Sequence, residues 1–211
     1  FRGHGRSPWE KPYTYAALMD DLIPFIKYAG RVVVIGHSMG GVVAGNFSGR
    51  YPDRVAGLIL SCTHLGRNQR PSAPLGAKYL ARLAQYEEMT PFEYGRARAR
   101  SMTAPGCAPQ ILEDFAHIAA ETRREGLEAA MRAISEADNR TPFASLDMPV
   151  LVLAGDLDKT VPKALTEGLI AAVPKGVPSS SVYYLPGVAH APYMEDAERY
   201  NKLLSDFLLS L

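Results

Sequence analysis

The residues RVVVIGHSMGGVVAG, at positions 31–45, constrain the fold of this chain more than any other stretch. Four apolar residues, three of them β-branched valines, run directly into the sequence GHSMG at 36–40. The apolar run predicts a buried parallel strand over 31–36, and the small and apolar residues after it predict a helix over 39–51 that stops before Pro52. Ser38 therefore lies at a sharp turn between a strand and a helix.

The position of this serine has a chemical consequence. A serine hydroxyl is a weak nucleophile until a base removes its proton, and it must stand clear of the sheet for a substrate to reach it. A sharp turn exposes Ser38 at the cost of a strained backbone, and crowding at the turn predicts small residues at Gly36 and Gly40. The turn also leaves the Met39 N–H at the start of a helix, where it can donate to an oxyanion. The pattern predicts a nucleophile elbow, against the alternative of a glycine-rich turn that contains serine by chance.

A nucleophilic serine requires a base and an orienting acid further along the chain. His190 is the predicted base because it follows a strand predicted at 181–185, and α/β sheets place their chemistry in such loops. Asp156 and Asp158 both follow a strand predicted at 149–155, and their spacing alone does not separate them as the acid. The remaining histidines have other expected places: His37 beneath the elbow, His4 in a loop, His64 lining a pocket or capping a strand, and His117 on a partly buried or exposed helix position.

The rest of the chain alternates strands and helices around a purely helical segment. The remaining predicted elements are a strand at 56–61 and helices at 14–28 (kinked or split at Pro24), 162–173 and 195–209. Residues 67–142 carry helical signals only, including a capping box at 90–93 and helices at 109–121 and 123–137. This order predicts an α/β fold, a mostly parallel sheet with helices on both faces and a helical insertion. We expect a first core segment at 1–66, a helical cap at 67–142 and a second core segment at 143–211.

Composition excludes several classes of protein. A chain of 211 residues with 47% hydrophobic residues and a net charge of +1 predicts a globular domain with no nucleic-acid or anionic-membrane partner. No apolar run is long enough to span a bilayer. Cys62 and Cys107 form neither a disulfide framework nor a zinc pattern, which favours free thiols in a reducing compartment and a cytoplasmic location. The sequence predicts no metal site and indicates no oligomeric state.

Three motifs in the order Ser, Asp, His resemble those of the α/β-hydrolase superfamily: GHSMG (36–40), GDLD (155–158) and GVAH (187–190). FRGHGRS at 1–7 resembles the loop after the fourth sheet strand of these enzymes. PVLVLAGDLDKTVP at 149–162 resembles their acid-bearing strand, and the Gly-x-x-Asp spacing of that strand favours Asp158. The helical segment fits the variable cap of the family. The chain is most similar to small-substrate esterases and lactonases, including proteins like 3-oxoadipate enol-lactonase.

This resemblance implies a serine hydrolase of small hydrophobic esters or lactones. His190 would activate Ser38, Asp158 would orient His190, and the Met39 N–H would supply half of the oxyanion hole, with no metal or organic cofactor. Other chemistry remains open on the same residues: carbon–carbon bond hydrolysis, perhydrolysis, cofactor-free lyase activity, or ligand binding without catalysis. Arg96 and Arg100 lie one helical turn apart and either contact a substrate carboxylate or, as we favour, belong to a solvated face.

The family also has strands before the FRGHG loop, one of them followed by a His-Gly loop that donates the second oxyanion N–H. The resemblance therefore implies that these residues correspond to the later part of the sheet. On this interpretation the strand before Ser38 is an exposed edge, and the 211-residue chain alone is poorly active.

Overall fold

A parallel sheet forms the centre of the computed structural model, which describes residues 1–71, 73–177 and 180–211. Within these residues the sheet has four strands in the order β1-β2-β3-β4, and every neighbouring pair is parallel. The strands are β1 (Val32–His37), β2 (Val55–Ser61), β3 (Val150–Gly155) and β4 (Ser181–Leu185). Each bound lies within one residue of its predicted position, and the predicted α/β class is confirmed.

Helices cover both faces of this sheet because its strands are apolar on both sides. Side chains alternate between faces along a strand, so Leu58 and Leu60 of β2 face one side while Ile59 faces the other. The first face packs against α2 (Ile23–Tyr28), α3 (Met39–Arg50), α8 (Arg140–Phe143) and α9 (Lys163–Ala172). The second face packs against α11 (Ala197–Leu209). This two-sided burial explains why the strands read as nearly continuous apolar runs.

β1 forms one edge of the described sheet and pairs only with β2 there. Its burial is incomplete, and the Ile35 side chain is 51% exposed. β4, which precedes the His190 loop, forms the other edge of the described sheet, and β3, which precedes Asp158, lies inside it between β2 and β4.

One predicted helix is divided in the structure, and another begins later than expected. The helix expected over 14–28 is split into α1 (Tyr15–Asp20) and α2, and Pro24 occupies the first turn of α2, where its missing N–H costs nothing. The helix expected over 195–209 is present as α11, which begins two residues later, after a short α10 (Pro192–Glu195). Asp196 separates them because its side chain accepts from the Arg199 N–H and so caps α11.

Between β2 and α8, the described residues of the segment predicted to be a helical cap form four helices: α4 (Ala77–Glu88), α5 (Pro91–Met102), α6 (Pro109–Ala120) and α7 (Arg124–Glu136). The predicted capping box is present, with the Glu93 N–H donating to Thr90 Oγ1 at 3.3 Å and the Thr90 N–H donating to Glu93 Oε2 at 2.9 Å. α5 and α6 pack so closely that a Cβ on Gly95 would lie 2.2 Å from the Ala116 carbonyl oxygen. The sequence patterns had not located α4.

The two ends of this helical segment meet at a short antiparallel contact. Gly66 pairs with Asp138, and the Asn68 N–H donates to the Ala137 carbonyl at 3.0 Å. Immediately afterwards α8 packs on α3, and Phe143 is fully buried in the core beneath the sheet. We propose that the cap leaves and rejoins the core at this contact. No helix in the described part of the chain is long and apolar enough to cross a membrane.

Candidate active site

Ser38 occupies the turn between β1 and α3 with a backbone conformation that a side-chain-bearing residue rarely adopts. Its φ is 53° and its ψ is −120°. Two bonds hold it there: the Ser38 N–H donates to the Ser61 carbonyl at 2.9 Å, and Thr63 Oγ1 donates to the Ser38 carbonyl at 2.6 Å. The end of β2 therefore fixes the turn, and the strain expected at this serine is present.

The glycines around Ser38 differ in how much space they have. A Cβ on Gly36 would lie 2.5 Å from the Gly40 carbonyl oxygen and 2.5 Å from the Gly41 Cα, so no larger residue fits. A Cβ on Gly40 would meet nothing nearer than the Phe1 ring, at 3.9 Å, among the described residues. The crowding predicted for Gly40 was wrong; it falls instead on Gly41, whose Cβ would lie 2.6 Å from Thr63.

The three residues predicted to act together are adjacent in the structure. His190 Nε2 lies 3.0 Å from Ser38 Oγ, and His190 Nδ1 lies 2.8 Å from Asp158 Oδ2. The His190 residue is 1% exposed and Asp158 is 8% exposed, so bulk water does not compete for the bond between them. The geometry forms a continuous hydrogen-bond path from a carboxylate through an imidazole to a hydroxyl.

The structure separates the two candidate carboxylates. Asp158 uses its second oxygen to accept from the N–H groups of Thr160, at 2.7 Å, and Val161, at 2.9 Å. Burial alone would raise the pKa of Asp158, but the hydrogen bond and charge of His190 and the two backbone bonds leave that pKa below its usual value. Asp156 instead accepts from the Gly187 N–H at 2.8 Å, on the surface of the turn.

Glu195 holds the loop around His190, and the sequence patterns had not identified it. Its carboxylate accepts from the N–H groups of Ala189 at 3.1 Å and Ala191 at 3.0 Å, on either side of His190. The same carboxylate accepts from Ala104 at 2.6 Å, in the segment between α5 and α6. An acid in the short helix after the histidine loop was the available signal, because carboxylates are favoured at helix starts.

Gly155 and the C-terminal end of α5 also hold the loop that carries His190. A Cβ on Gly155 would lie 2.0 Å from the Ala189 carbonyl oxygen, so the strand that carries Asp158 can approach the loop only as glycine. The His190 N–H donates to the Met102 carbonyl at 2.9 Å. The imidazole is thus positioned by both the sheet and the helical segment.

The Met39 N–H lies at the first position of α3, next to Ser38. The first amides of a helix have no acceptor within the helix, and none of the described residues supplies one for Met39. An oxyanion formed when Ser38 Oγ attacks a carbonyl group would therefore meet a free donor and the positive end of the α3 dipole.

One group of possible metal ligands lies together within the described part of the chain: His37, Cys62 and His190, with their donor atoms within 4.8 Å of one another. Both ring nitrogens of His190 already contact Ser38 and Asp158. Burial raises the pKa of the Cys62 thiol to about 12, and burial together with the His190 charge lowers the pKa of His37 to about 4. A neutral thiol and an occupied imidazole do not suit a metal ion. His37 instead lies against His190, its Nε2 2.7 Å from the His190 carbonyl.

The other histidines lie in three different settings. His64 is buried and lines the cavity in front of Ser38, its Nδ1 accepting from the Gly66 N–H at 2.9 Å. Burial, and then the charge of Arg67, lowers the pKa of His64 to about 4. His4 lies in the N-terminal loop, and His117 is exposed on α6, one turn from Glu113.

A cavity of about 410 Å³ opens in front of Ser38 and Met39. Its other wall comes from the helical segment and carries cationic side chains that the sequence patterns had not singled out: Arg67, Lys78, Arg82 and Arg98, with Lys159 from the loop after Asp158. Arg96 and Arg100 do not line this cavity. Arg96 is exposed and pairs with Glu113 at 3.3 Å, as expected for a solvated face, while exposed Arg100 borders a neighbouring cavity.

Comparison with known proteins places these features in a family. Residues 1–203 match the family model described as "Alpha/beta hydrolase family". Among curated proteins, a pimeloyl-[acyl-carrier protein] methyl ester esterase of Neisseria meningitidis serogroup B (strain MC58) is 28% identical over 98% of this chain and 79% of that protein.

Solved structures give the same result. A thermophilic esterase from Thermogutta terrifontis is 27% identical, with a TM-score of 0.82 over 99% of this chain and 77% of that one. The enol-lactonase from Burkholderia xenovorans LB400 is 25% identical, with a TM-score of 0.78 over 99% and 78%. The relatives are hydrolases, which supports a hydrolase activity here.

Proposed function

The chain belongs to the alpha/beta hydrolase family, and on that premise we propose that it hydrolyses carboxylic esters or lactones through a Ser38 acyl-enzyme. The observation that carries this proposal is the hydrogen-bond path from Asp158 to His190 to Ser38, with distances of 2.8 and 3.0 Å, at the floor of a cavity. The names of the relatives, an esterase of a methyl ester and an enol-lactonase, are consistent with that bond type.

The first half of the reaction forms the acyl-enzyme. His190 Nε2 takes the Ser38 proton as Oγ attacks the carbonyl carbon, and the carbonyl π electrons move to oxygen. The Met39 N–H donates to this oxyanion. Asp158 stabilises the imidazolium that forms, and the depressed pKa of its carboxyl means that it is ionised at neutral pH. His190 then protonates the departing alkoxide as its bond to carbon breaks.

The second half clears the acyl group. A water molecule gives its proton to His190 as its oxygen attacks the acyl carbon, and the proton passes to Ser38 Oγ when the acyl-oxygen bond breaks. In a lactone the leaving alcohol stays attached to the acyl chain, so the product is a single hydroxy acid. The residues return to their starting protonation states.

The test is hydrolysis of p-nitrophenyl acetate and butyrate, and of a small lactone, by the purified full-length protein and its Ser38→Ala variant. We expect Ser38→Ala to lower kcat by about 10⁴- to 10⁶-fold, because the nucleophile is lost and only binding and oxyanion stabilisation remain. Ser205→Ala, on the exposed side of α11, is the matched control and should leave kcat unchanged.

Retention of most of the activity by Ser38→Ala, with its fold verified by circular dichroism, would refute the assignment. Cleavage of β-diketones in preference to every ester and lactone would instead move the function to carbon–carbon bond hydrolysis on the same residues. Saturable ligand binding with no turnover of any of these compounds would identify a non-catalytic binding protein.

A further inference from the structure

The cavity in front of Ser38 concentrates positive charge on its helical wall. Lys78 and Arg82 lie one turn apart on α4, Arg98 lies on α5, and Arg67 and Lys159 complete the set that faces the same cavity. No carboxylate in the described part of the chain lies within ion-pair distance of any of them. The cavity therefore carries cations that the chain itself does not neutralise.

The helical segment does supply carboxylate partners to other arginines. On the outer surface of the same helical segment, arginines pair with glutamates: Arg124 with Glu87 at 2.8 Å, and Arg132 with Glu128 at 3.0 Å. The segment thus contains carboxylates at positions that neutralise some of its solvent-facing arginines. Among the described residues neither Arg82 nor Arg98 has such a partner, although their partial burial makes an unpaired charge more costly. Arg70 and Arg100 also lack one but are exposed, and Arg123 donates to the carbonyls of Gly3 and Ser7.

Arg98 shows this most clearly. Its Nε is buried without a hydrogen-bond partner among the described residues. Its two other nitrogens contact only uncharged groups, the Ser101 hydroxyl at 3.1 Å and the Met102 sulfur at 2.6 Å. Burial, and then the charge of Arg82, lowers the pKa of Arg98 to about 10, and Arg82 itself donates only to the Tyr94 hydroxyl. Two half-buried guanidinium groups repel one another across this wall.

Lys78 lines the same cavity and lies near two arginines, although it is exposed. Burial, and then the charges of Arg67 and Arg98, lowers the pKa of Lys78. Asp158 is the nearby acid that opposes this effect, but both of its oxygens already accept bonds from His190 and backbone amides. An anion entering the cavity would therefore relieve repulsion among several groups at once. Arginine suits this task because its planar fork can bind both oxygens of a carboxylate or phosphate.

We propose that this wall is an anion-recognition subsite, in which Arg98 and Arg82 bind a carboxylate or phosphate group carried by the ester, with Lys78 and Arg67 at its mouth. The proposal rests on the proposed ester hydrolysis at Ser38, because the subsite shares that cavity. The preferred substrate is therefore an ester or lactone with a negative charge at a distance from the scissile bond. The anion can lie on the acyl side or on the alcohol side.

The kinetic test uses esters that differ only in charge. Methyl hydrogen adipate and its terminal carboxamide analogue place the difference on the acyl side; 4-acetoxybutanoate and 4-acetoxybutanamide place it on the alcohol side. We expect the wild-type protein to have the higher kcat/KM for one anionic ester of these pairs. In Arg98→Gln the ratio of anionic to neutral kcat/KM for that pair should fall by about 10- to 100-fold, mainly through KM, as expected when a charge-assisted bond is lost.

Arg96→Gln is the matched control, because Arg96 lies two residues away on the same helix but pairs with Glu113 on the outer face. It should leave the ratio unchanged. Arg82→Gln should lower the ratio in the same direction, and this second variant keeps the test valid if Arg98→Gln does not fold. Equal ratios in the wild-type protein and in a folded Arg98→Gln or Arg82→Gln variant would overturn the proposal.

A binding measurement separates this subsite from the reaction. Calorimetric titration of succinate, inorganic phosphate and neutral succinamide into Ser38→Ala should show saturable binding of an anion but not of the amide. The affinity should fall at least tenfold when Arg98→Gln is added. Anion binding without turnover of any ester would refute ester hydrolysis and leave the subsite standing. Turnover of esters without saturable anion binding would refute the subsite and leave hydrolysis standing.

Discussion

The two walls of the cavity differ in how their polar groups are satisfied. On the sheet side, Ser38, His190 and Asp158 form one path of hydrogen bonds, and Asp158 accepts two further bonds from backbone amides. On the helical side, Arg82 and Arg98 face the same space with only uncharged partners. The three side chains of the first wall are paired with one another, whereas the two guanidinium groups of the second wall have no charged partner among the described residues.

This difference separates two tasks. Groups that must exchange a proton have to be fixed relative to one another before a substrate arrives, so the sheet holds them at the ends of three strands. Groups that select a substrate have to be left available for it. We infer that the sheet wall carries the reaction and the helical wall carries its selectivity, and each prediction below tests one side of that division.

The largest expected effect comes from replacing Asp158, the acid of the sheet wall. Asp158→Asn should lower kcat by about 10⁴-fold, because an amide cannot orient and stabilise the imidazolium as a carboxylate does. Asp156→Asn is the matched control and should cost less than about tenfold, since its side-chain oxygen can still accept from Gly187. The reverse ranking in measured kcat would transfer the acid role to Asp156.

The next effect concerns the turn that exposes Ser38. Gly36→Ala places a Cβ 2.5 Å from backbone atoms of α3, so the free energy of unfolding should fall by about 3 kcal/mol. Gly168→Ala, in the exposed middle of α9 with open space around it, should instead gain up to about 1 kcal/mol. Urea unfolding of both variants measures this. A Gly36→Ala protein as stable as the wild type would contradict the packing described for the turn.

A smaller effect is expected in the pH dependence of stability, and it comes from His64, a buried residue that lines the cavity in front of Ser38. The folded pKa of His64 is about 4 and its unfolded value is about 6.5, so the unfolded state binds more protons between these values. Stability should therefore fall as the pH drops from 6.5 towards 4. At pH 4.5 this one group should lower the free energy of unfolding by roughly 2–3 kcal/mol relative to neutral pH.

His64→Asn isolates this contribution, because the Asn oxygen can accept from the Gly66 N–H without titrating. The difference in unfolding free energy between pH 7 and pH 4.5 should be smaller in this variant by that amount. His117→Asn, at an exposed position, should leave the difference unchanged. Identical pH profiles for His64→Asn and the wild type would show that His64 is not held neutral by its surroundings.

The smallest predicted effect tests the link between the two walls. Glu195 binds amides on both sides of His190 and one amide of the helical segment. Glu195→Gln weakens these bonds and should lower kcat about tenfold with KM changed by less than about threefold. Glu198→Gln, exposed on α11, is the control. A rise in KM with no change in kcat would show that Glu195 supports the substrate cavity and not the imidazole.

The sequence predicted the sheet wall well because its constraints are local. A strand, a glycine-flanked serine and a helix follow one another within 31–45, and the β-branched runs located each strand to within one residue. The final choice of Asp158 over Asp156 came from family spacing. Only the structure shows why that spacing works: Asp156 is turned towards Gly187 and Asp158 towards His190.

The helical wall was not predictable in the same way. Lys78, Arg82 and Arg98 lie on two amphipathic helices, where a cation usually belongs to a solvated face, and nothing in their spacing shows which face meets the cavity. The sequence instead drew attention to Arg96 and Arg100, one turn apart on the other side of α5. Similarly, Glu195 acts through backbone amides, which leave no side-chain pattern in the sequence. The crowding predicted at Gly40 falls on Gly41 instead, because it is Gly41 that lies against Thr63.

Covalent labelling of Ser38 tests the central claim most directly. With diisopropyl fluorophosphate, Ser38 Oγ would form a bond to phosphorus as fluoride leaves and His190 takes the proton. Mass spectrometry of the purified protein should show one label per chain on the peptide that contains Ser38. The label should be absent in Ser38→Ala and should form much more slowly in Asp158→Asn. An unlabelled Ser38 in a protein that still hydrolyses esters, or a label on another residue that abolishes activity, would contradict the account.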